Sequence, residues 1–180
     1  MRSIETTRLS LRPLTVDDAP AMQRWFVVWE VVRWLEVPWP YPPGGALRFI
    51  SEVALPRMAA GQGWFWSIRH KSAPEEVIGQ ITLKDVEDDN RAFWLSPPWQ
   101  GAGLMTEACD AVTDFWFEEL GRPDLRVRKA VNNVPSRRIS QRQGMRVVRT
   151  FTEAFASGEH LSELWVISKE EWREHRANQP

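Results

Sequence analysis

One short run of the chain has residue types and spacing suited to holding an anion: Trp94-Leu95-Ser96-Pro97-Pro98-Trp99-Gln100-Gly101-Ala102-Gly103-Leu104-Met105-Thr106-Glu107-Ala108. It reads as a strand, a turn with two glycines and the first turn of a helix. The first amides of a helix have no partner within it, and the helix dipole there favours negative charge. Gly101 and Gly103 carry no Cβ, so phosphate oxygens can approach their backbone. A Gly-x-Gly turn also serves plain strand-to-helix connections, so the spacing needs support from the rest of the chain. Two common phosphate readers do not fit. No Gly-x-x-x-x-Gly-Lys-Ser/Thr occurs, and Met105 and Thr106 stand where a dinucleotide fingerprint would place its third glycine.

The elements that must position this run follow from hydrophobic periodicity. Arg8-Leu9-Ser10-Leu11-Arg12 alternates as a strand, and Thr15 with Asp18 forms a capping-box signal for a helix reaching about Trp29. Pro38, Pro40, Pro42 and Pro43 with Gly44 and Gly45 break the chain, and a second helix is predicted from about Ala46 to Ala60. Three strands follow, at 64–69, 77–83 and 92–95, joined by polar turns as antiparallel hairpins. From Gly103 to Leu120 the period is helical, with Leu104, Ala108, Val112 and Phe115 on one face and Glu107, Asp110, Asp114 and Glu118 on the other. Residues 125–131 alternate again, with Leu125, Val127 and Val131 on one side and Arg126 and Arg128 on the other. A short helix from about Ser136 to Gln143 and strands near 145–152 and 160–167 close the order. The strands before and after the main helix would pair in parallel through it.

Composition narrows the function classes. The chain has 180 residues, with 23 Lys+Arg against 24 Asp+Glu, so its net charge of −1 exerts no global pull on nucleic acid or anionic membrane. An anionic ligand must therefore be held locally. The single cysteine, Cys109, rules out an intramolecular disulfide, forms no metal cluster and lies on an apolar helix face, which assigns it to the core. Met1 to Thr6 lacks the apolar run of a signal peptide, and no segment approaches the roughly 20 apolar residues of a membrane span. The expectation is a cytoplasmic protein without nucleic-acid or membrane partners and without a metal. Its oligomeric state, monomer or homodimer, stays open. Residues 1–180 read as a single domain, since no repeat, linker or low-complexity segment interrupts them.

Trp-Leu-x-Pro-x-x-x-Gly-x-Gly-x-x-Thr-Glu-Ala resembles the acyl-CoA motif of GNAT acetyltransferases, in the form of the ribosomal-protein N-terminal acetyltransferase branch (RimJ/RimL-like). Asn132-Asn133-Val134-Pro135-Ser136-Arg137-Arg138 with Gly144-Met145, and Leu164-Trp165 to Trp172, resemble the branch's later segments. The resemblance runs from Thr6 to Trp172. It implies an α+β fold, a mixed central sheet of about seven strands splayed at the acyl-CoA site and flanked by about four helices. The implied reaction is transfer of an acetyl group from acetyl-CoA, as co-substrate, to a primary amine of a protein N-terminus or small molecule. A non-catalytic acyl-CoA sensor is the alternative.

The resemblance also implies positions. Backbone groups at Trp94 and Leu95 would pair with the pantetheine arm at a bulge. Amides of Gln100, Gly101, Ala102, Gly103, Leu104, Met105 and Thr106 would receive the pyrophosphate. Asn133 would contact the pantetheine or cap the following helix, and Ser136 would lie near the sulfur. Ser136 is the residue chosen to assist the thiolate, with an N-cap as its alternative role. Pro98 and Met145 depart from the family pattern, and Ser140 stands where many relatives place a tyrosine acid. Base candidates are Glu87, Asp88, Asp89, His160 and Glu163, with Glu163 put forward, whereas Glu107 reads as structural. Trp34, Trp39 and Tyr41 form the candidate acceptor pocket, while Trp25 and Trp29 read as packing. Arg137 and Arg138 could reach a CoA phosphate, with a solvated helix face as their default reading.

Overall fold

The computed structural model describes residues 1–178. Five strands form an antiparallel meander in chain order: β1 (Ile4–Glu5), β2 (Leu9–Pro13), β3 (Gly63–His70), β4 (Gly79–Lys84) and β5 (Arg91–Leu95). A second antiparallel sheet has the order β6 (Asp124–Ala130), β8 (Gly158–Ser168), β7 (Arg146–Phe155). The expected mixed sheet of about seven strands is thus realised as eight strands in two sheets. β5 and β6 lie side by side in the expected parallel sense but form no ladder. They touch where the Asn90 amide donates to the Arg126 carbonyl (2.7 Å) and the Arg126 amide donates to Asn90 Oδ1 (2.8 Å).

Between the two helix signals predicted for residues 15–60, local chemistry shortens what periodicity joins. The Thr15–Asp18 capping box is present and leads through a 3₁₀ turn into α1 (Ala19–Phe26). The β-branched pair Val27-Val28 then ends the helix, Val28 being extended, and a separate turn α2 (Trp29–Val32) follows. The second helix is continuous over 45–59 but changes pitch: α3 (Gly45–Arg48), a π segment (Phe49–Ala54) and α4 (Leu55–Ala59). Pro56 lacks an amide and its ring crowds the preceding turn, which accounts for the wider turn just before it.

The main helix α5 (Leu104–Asp114) continues as a π turn to Glu119, and α6 (Val134–Arg142) is capped by the Asn133 carboxamide, which accepts from the Ser136 amide (3.4 Å). Asn133 rather than Ser136 is therefore the cap. A terminal helix α7 (Lys169–Ala177), which periodicity did not reveal, starts at a Ser168–Glu171 capping box. Its Trp172 docks on α5, with Nε1 donating to Asp114 Oδ1 (2.9 Å).

Two apolar clusters cover opposite faces of the first sheet. Leu9, Leu11, Trp66, Ile68, Ile81 and Leu83 pack against Leu104, Ala108, Val112 and Phe115 of α5. On the other face Met22, Phe26, Tyr41, Ala46, Ile50, Phe65 and Trp94 form the second cluster. The helices therefore sandwich the sheet, and the seam between β5 and β6 opens toward both sides.

Trp172 is 1% exposed, whereas Trp39 is 42% exposed. Trp172→Ala is expected to destabilise the fold by about 3–5 kcal/mol, and Trp39→Ala by about 0.5 kcal/mol or less; chemical denaturation of the two variants checks the contrast.

Candidate active site in the seam between the sheets

The register of the two sheets decides which backbone groups face the seam. The Ser96 amide bonds to the Ile78 carbonyl (2.8 Å), so in the antiparallel alternation residues 92 and 94 bond to β4, and Phe93 and Leu95 turn their main chain outward. On the second sheet the Val131 amide bonds to the Leu161 carbonyl (2.8 Å), which turns the main chain of Arg128 and Ala130 toward the seam. Trp94 was expected to offer its backbone, and the register corrects this: its main chain is spent on β4. Its indole lines the cavity and donates to Gln80 Oε1 (3.2 Å). Nor does a bulge splay the strands, for the β4–β5 register runs without a shift from Gly79↔Leu95 to Leu83↔Arg91. Gly79 is needed there, because a Cβ would sit 2.5 Å from the Trp94 carbonyl oxygen.

A cavity of about 690 Å³ occupies the seam and reaches both faces of the molecule. At one end is the glycine turn. Gly103 takes φ +77°, a left-handed conformation that glycine adopts without strain. The first intrahelical bond of α5 runs from the Glu107 amide to the Gly103 carbonyl (3.1 Å), leaving the amides of Leu104, Met105 and Thr106 without helical partners. Those three residues, with Gln100, Gly101 and Gly103, line the cavity. Two expected members differ. The Gln100 amide is used by the Pro97 carbonyl (3.2 Å), while its side chain donates to the Leu95 carbonyl (2.7 Å). Ala102 does not line the cavity, and its carbonyl accepts from Arg8 Nη1 (2.8 Å). Asn133, Ser136, Arg138 and Arg142 of the α6 region line the same end, and among the described residues neither arginine has an ion pair.

Glu107 is the brace of this end. It accepts from Thr6 Oγ1 (2.6 Å), the Arg8 amide (2.7 Å) and Arg8 Nε (2.7 Å), tying the N-terminal strand to the turn. Burial opposes its ionisation, but these donors together hold the carboxyl below its ordinary range.

At the opposite face the cavity is aromatic and acidic. Trp34 and Tyr41 line it, with Phe26 and Phe49, as do Glu36 and Glu153. Trp39, expected here, instead packs on Trp29 (5.1 Å between centroids) outside the cavity. Glu163, put forward as the base, does not line the cavity: it accepts from Arg137 Nε (2.8 Å) and Nη2 (3.0 Å) and from Trp165 Nε1 (3.0 Å). That pairing also removes Arg137 from the phosphate candidates. Asp88 is held by Arg126 (3.1 Å) and Arg149 (2.8 Å), and Asp89 by Lys84 and Arg128. His160 bonds to Ser157 (2.9 Å) under the Trp34 ring. Ser140 is fully buried away from the cavity, so it does not replace the missing tyrosine.

The residue that sequence reasoning missed is Glu153. It is buried at the cavity wall beside the Arg128 guanidinium, yet neither carboxylate oxygen makes a well-aligned hydrogen bond. Burial raises its pKa, Arg128 opposes this, and Glu36 adds to the rise. Among the described residues no group of three or more His, Cys, Asp or Glu is placed to hold a metal ion, and no helix is long and apolar enough to cross a membrane.

A seam between two unbonded strand edges, with a glycine turn before a helix at one end, agrees with the splayed sheet that the resemblance implies. Residues 8–146 match the acetyltransferase (GNAT) domain model, and the chain belongs to the GNAT acetyltransferase family, whose members move an acetyl group from acetyl-CoA to an amine. YdaF of Bacillus subtilis (strain 168), provisionally named a ribosomal N-acetyltransferase, is 31% identical over 72 residues, 38% of this chain and 39% of that protein. The ribosomal-protein-S5-alanine acetyltransferase of Vibrio fischeri superposes with a TM-score of 0.80 at 14% identity, covering 94% of this chain and 98% of that one. RimJ of Mycobacterium smegmatis, solved with a CoA disulfide, gives 0.76 at 19% identity, covering 91% and 83%. At these identities the structural likeness is one of fold. Family membership favours turnover over the sensor alternative.

The Glu107 brace gives a pH test. A carboxyl with a depressed folded pKa contributes stability above its unfolded value, about 4.3, and that contribution is lost as pH falls through the folded pKa. Glu107→Gln is therefore expected to lower Tm at neutral pH, and the gap from wild type should close as the pH is taken below 4; a series of thermal melts measures it.

Proposed function

We propose that this protein transfers the acetyl group of acetyl-CoA to the α-amino group of a peptide or protein N-terminus. The observation that carries the reading is the through-seam itself, with phosphate-compatible amides on one face and a buried carboxylate on the other.

The fit to acetyl-CoA rests on groups left unpaired. The free amides of Leu104, Met105 and Thr106 would hold the pyrophosphate, with Arg138 and Arg142 beside them for further phosphate charge. The Phe93 main chain and the Leu95 amide, whose carbonyl Gln100 already holds, would take the pantetheine as a short added strand. Bound there, acetyl-CoA supplies an activated acyl group, so no covalent enzyme intermediate is required.

The chain's own residues then divide the work. Glu153 takes the proton that an incoming ammonium must lose, directly or through one water, and burial, by raising its pKa, makes it a stronger base than an exposed carboxylate. The seam-facing amide of Phe93 is the donor offered to a developing oxyanion, with that of Leu95 left to the pantetheine. Ser136, buried at the cavity wall, offers its hydroxyl to the sulfur. Trp34, Tyr41 and Phe26 wall the acceptor end, and Glu36 with Glu153 favours a cationic amine there. The structural relatives named for acetylation of ribosomal proteins support an N-terminal acceptor over a free small amine. Such an acceptor is made in the cytoplasm, where we place the reaction.

Saturating acetyl-CoA at 100 times its Kd is expected to stabilise the protein by about 2.7 kcal/mol, and thiol release should appear with N-terminal peptides. Glu153→Gln should lower kcat by about 10²-fold or more while leaving that stabilisation in place. Thiol release from Glu153→Gln at the wild-type rate would remove Glu153 from the mechanism, and absence of any acetyl-CoA stabilisation would remove the site.

A further inference from the structure

Two cations are buried at the closed end of the seam, and among the described residues neither has a carboxylate within ion-pair distance. Arg91 is 1% exposed and donates to Thr113 Oγ1 (2.7 Å) and Gln143 Oε1 (2.8 Å). Lys129 is 6% exposed and lines the cavity, with Nζ 4.4 Å from the centre of the Phe93 ring. Among the described residues, no carboxylate lies within ion-pair distance of Lys129. The charged and titratable groups around it are Arg91 from β5, Cys109 and Asp110 from α5, Asp89 from the preceding turn and Glu163 from β8. Asp89 is committed to Lys84 and Arg128, Glu163 to Arg137, and Asp110 accepts from Gln143 Nε2 (2.8 Å). A buried, unpaired ammonium is costly to a fold unless something anionic visits it.

Its position says what that visitor would be. β5 and β6 touch at Asn90 and Arg126 and separate toward Leu95 and Ala130, so Lys129 and Phe93 flank the seam near its apex. An arm anchored by phosphates at the glycine turn and laid along the Leu95 and Phe93 edges brings its thioester end toward that apex. Lys129 shares the sheet face of Leu125 and Val127, which pack with α5, whereas Arg128, and Glu153 with it, belong to the opposite face.

We propose that Lys129 is the proton donor to the departing coenzyme A thiolate, an inference that rests on the reading of the seam as the acyl-CoA site. As the acceptor nitrogen forms its bond to the acyl carbon, the carbon–sulfur bond breaks and its electron pair stays on sulfur. The sulfur takes a proton from the Lys129 ammonium, and the resulting neutral amine is reprotonated from water once the product leaves. The nitrogen sheds two protons by way of Glu153: the one lost when the arriving ammonium becomes an amine, which Glu153 passes to water, and the one it still carries after attack. Ser136 complements this role: an alkyl hydroxyl can hydrogen-bond the sulfur but is too weak an acid to give its proton up. Burial, and next the Arg91 charge, lower the Lys129 pKa from 10.5 to about 7. That is below the value of about 8.5 for an ordinary thiol, so the transfer runs downhill.

Four readouts test this. First, in the ligand-free protein, a lysine whose folded pKa is lowered destabilises the fold fully below that pKa, and the penalty fades as pH rises from 7 toward 10.5. Lys129→Met should therefore raise Tm at neutral pH, and wild type should gain on it above pH 7. Second, kcat of Lys129→Met should fall by about 10²-fold with the acetyl-CoA Kd unchanged, and the alkaline limb of the wild-type kcat profile should vanish. Third, the thiol of bound coenzyme A, followed by thiolate absorbance, should ionise at lower pH in Lys129→Arg, whose charge persists, than in Lys129→Met. Fourth, Lys129→Arg cannot release that proton, so it should lose kcat even though it lowers the thiol titration. Wild-type kcat in either variant, or a bound thiol indifferent to residue 129, would overturn the proposal. Failure of wild type to bind acetyl-CoA would instead overturn the seam as the cofactor site.

Discussion

Two strand edges that run in parallel and do not bond are the constraint on which the rest of the molecule depends. A parallel pair joined through a helix would ordinarily complete its ladder, since unpaired backbone groups in a protein interior cost free energy. Here one amide–carbonyl contact and one carboxamide fix Asn90 against Arg126, and beyond that point the sheets separate. The register leaves Phe93 and Leu95 on one side and Arg128 and Ala130 on the other facing an open cavity. Each sheet is antiparallel and continuous to its far edge, so the gap is held by two stiff bodies rather than by a flexible loop. Gly79 lets β4 close on the Trp94 carbonyl, which keeps β5 in regular register right up to the glycine turn.

The seam also sorts charge. The α5 and α6 face gathers helix amides, Arg138, Arg142 and Lys129, all suited to an anionic ligand and an anionic leaving group. The α1 face gathers Glu36 and Glu153 among aromatic rings, suited to an amine that arrives charged and must lose a proton. The acid and base tasks are thus divided between two faces of one gap, where neither neutralises the other. Arg128 keeps the acidic face from becoming too repulsive to ionise, since it pairs with Glu36 (3.0 Å) and Asp89 (2.8 Å) as well as Glu153. Its guanidinium opposes the upward pull of burial on the Glu153 pKa.

Much of the fold was legible because it rests on local chemistry. The Thr15–Asp18 box, the hairpins of β3 to β5 and the glycine turn before α5 all stand where their residue types put them. What periodicity could not show was relative placement across sequence distance. Glu163 and Glu153 both alternate along late strands, and only the three-dimensional neighbours tell them apart: Arg137 captures one, and the other meets the cavity. A signal for Glu153 was nevertheless present, for it keeps phase with Phe151 and Phe155 and is the one carboxylate on that stripe. Trp39 was misplaced for the converse reason. A proline-bounded loop has no period, so nothing local distinguished it from Trp34, which the His160 and Phe155 rings draw inward.

Lys129 shows how an exception to a pattern carries information that the pattern itself does not. Leu125 and Val127 define the buried phase of β6, and a lysine occupies the next position of that phase, where a third aliphatic residue would pack without penalty. Burial of an ammonium against Phe93, with Arg91 nearby and no carboxylate paired to it, runs against stability on its own terms. Such a departure is the kind that stability alone would not maintain, and it falls on the strand that borders the open part of the seam. A chain that lacks the tyrosine acid of many relatives has, at the same gap, a group of different chemistry whose proton is already loosely held. The loss of one donor and the presence of the other are therefore parts of a single arrangement, in which the acid is supplied from the strand bordering the seam instead of from the helix after it.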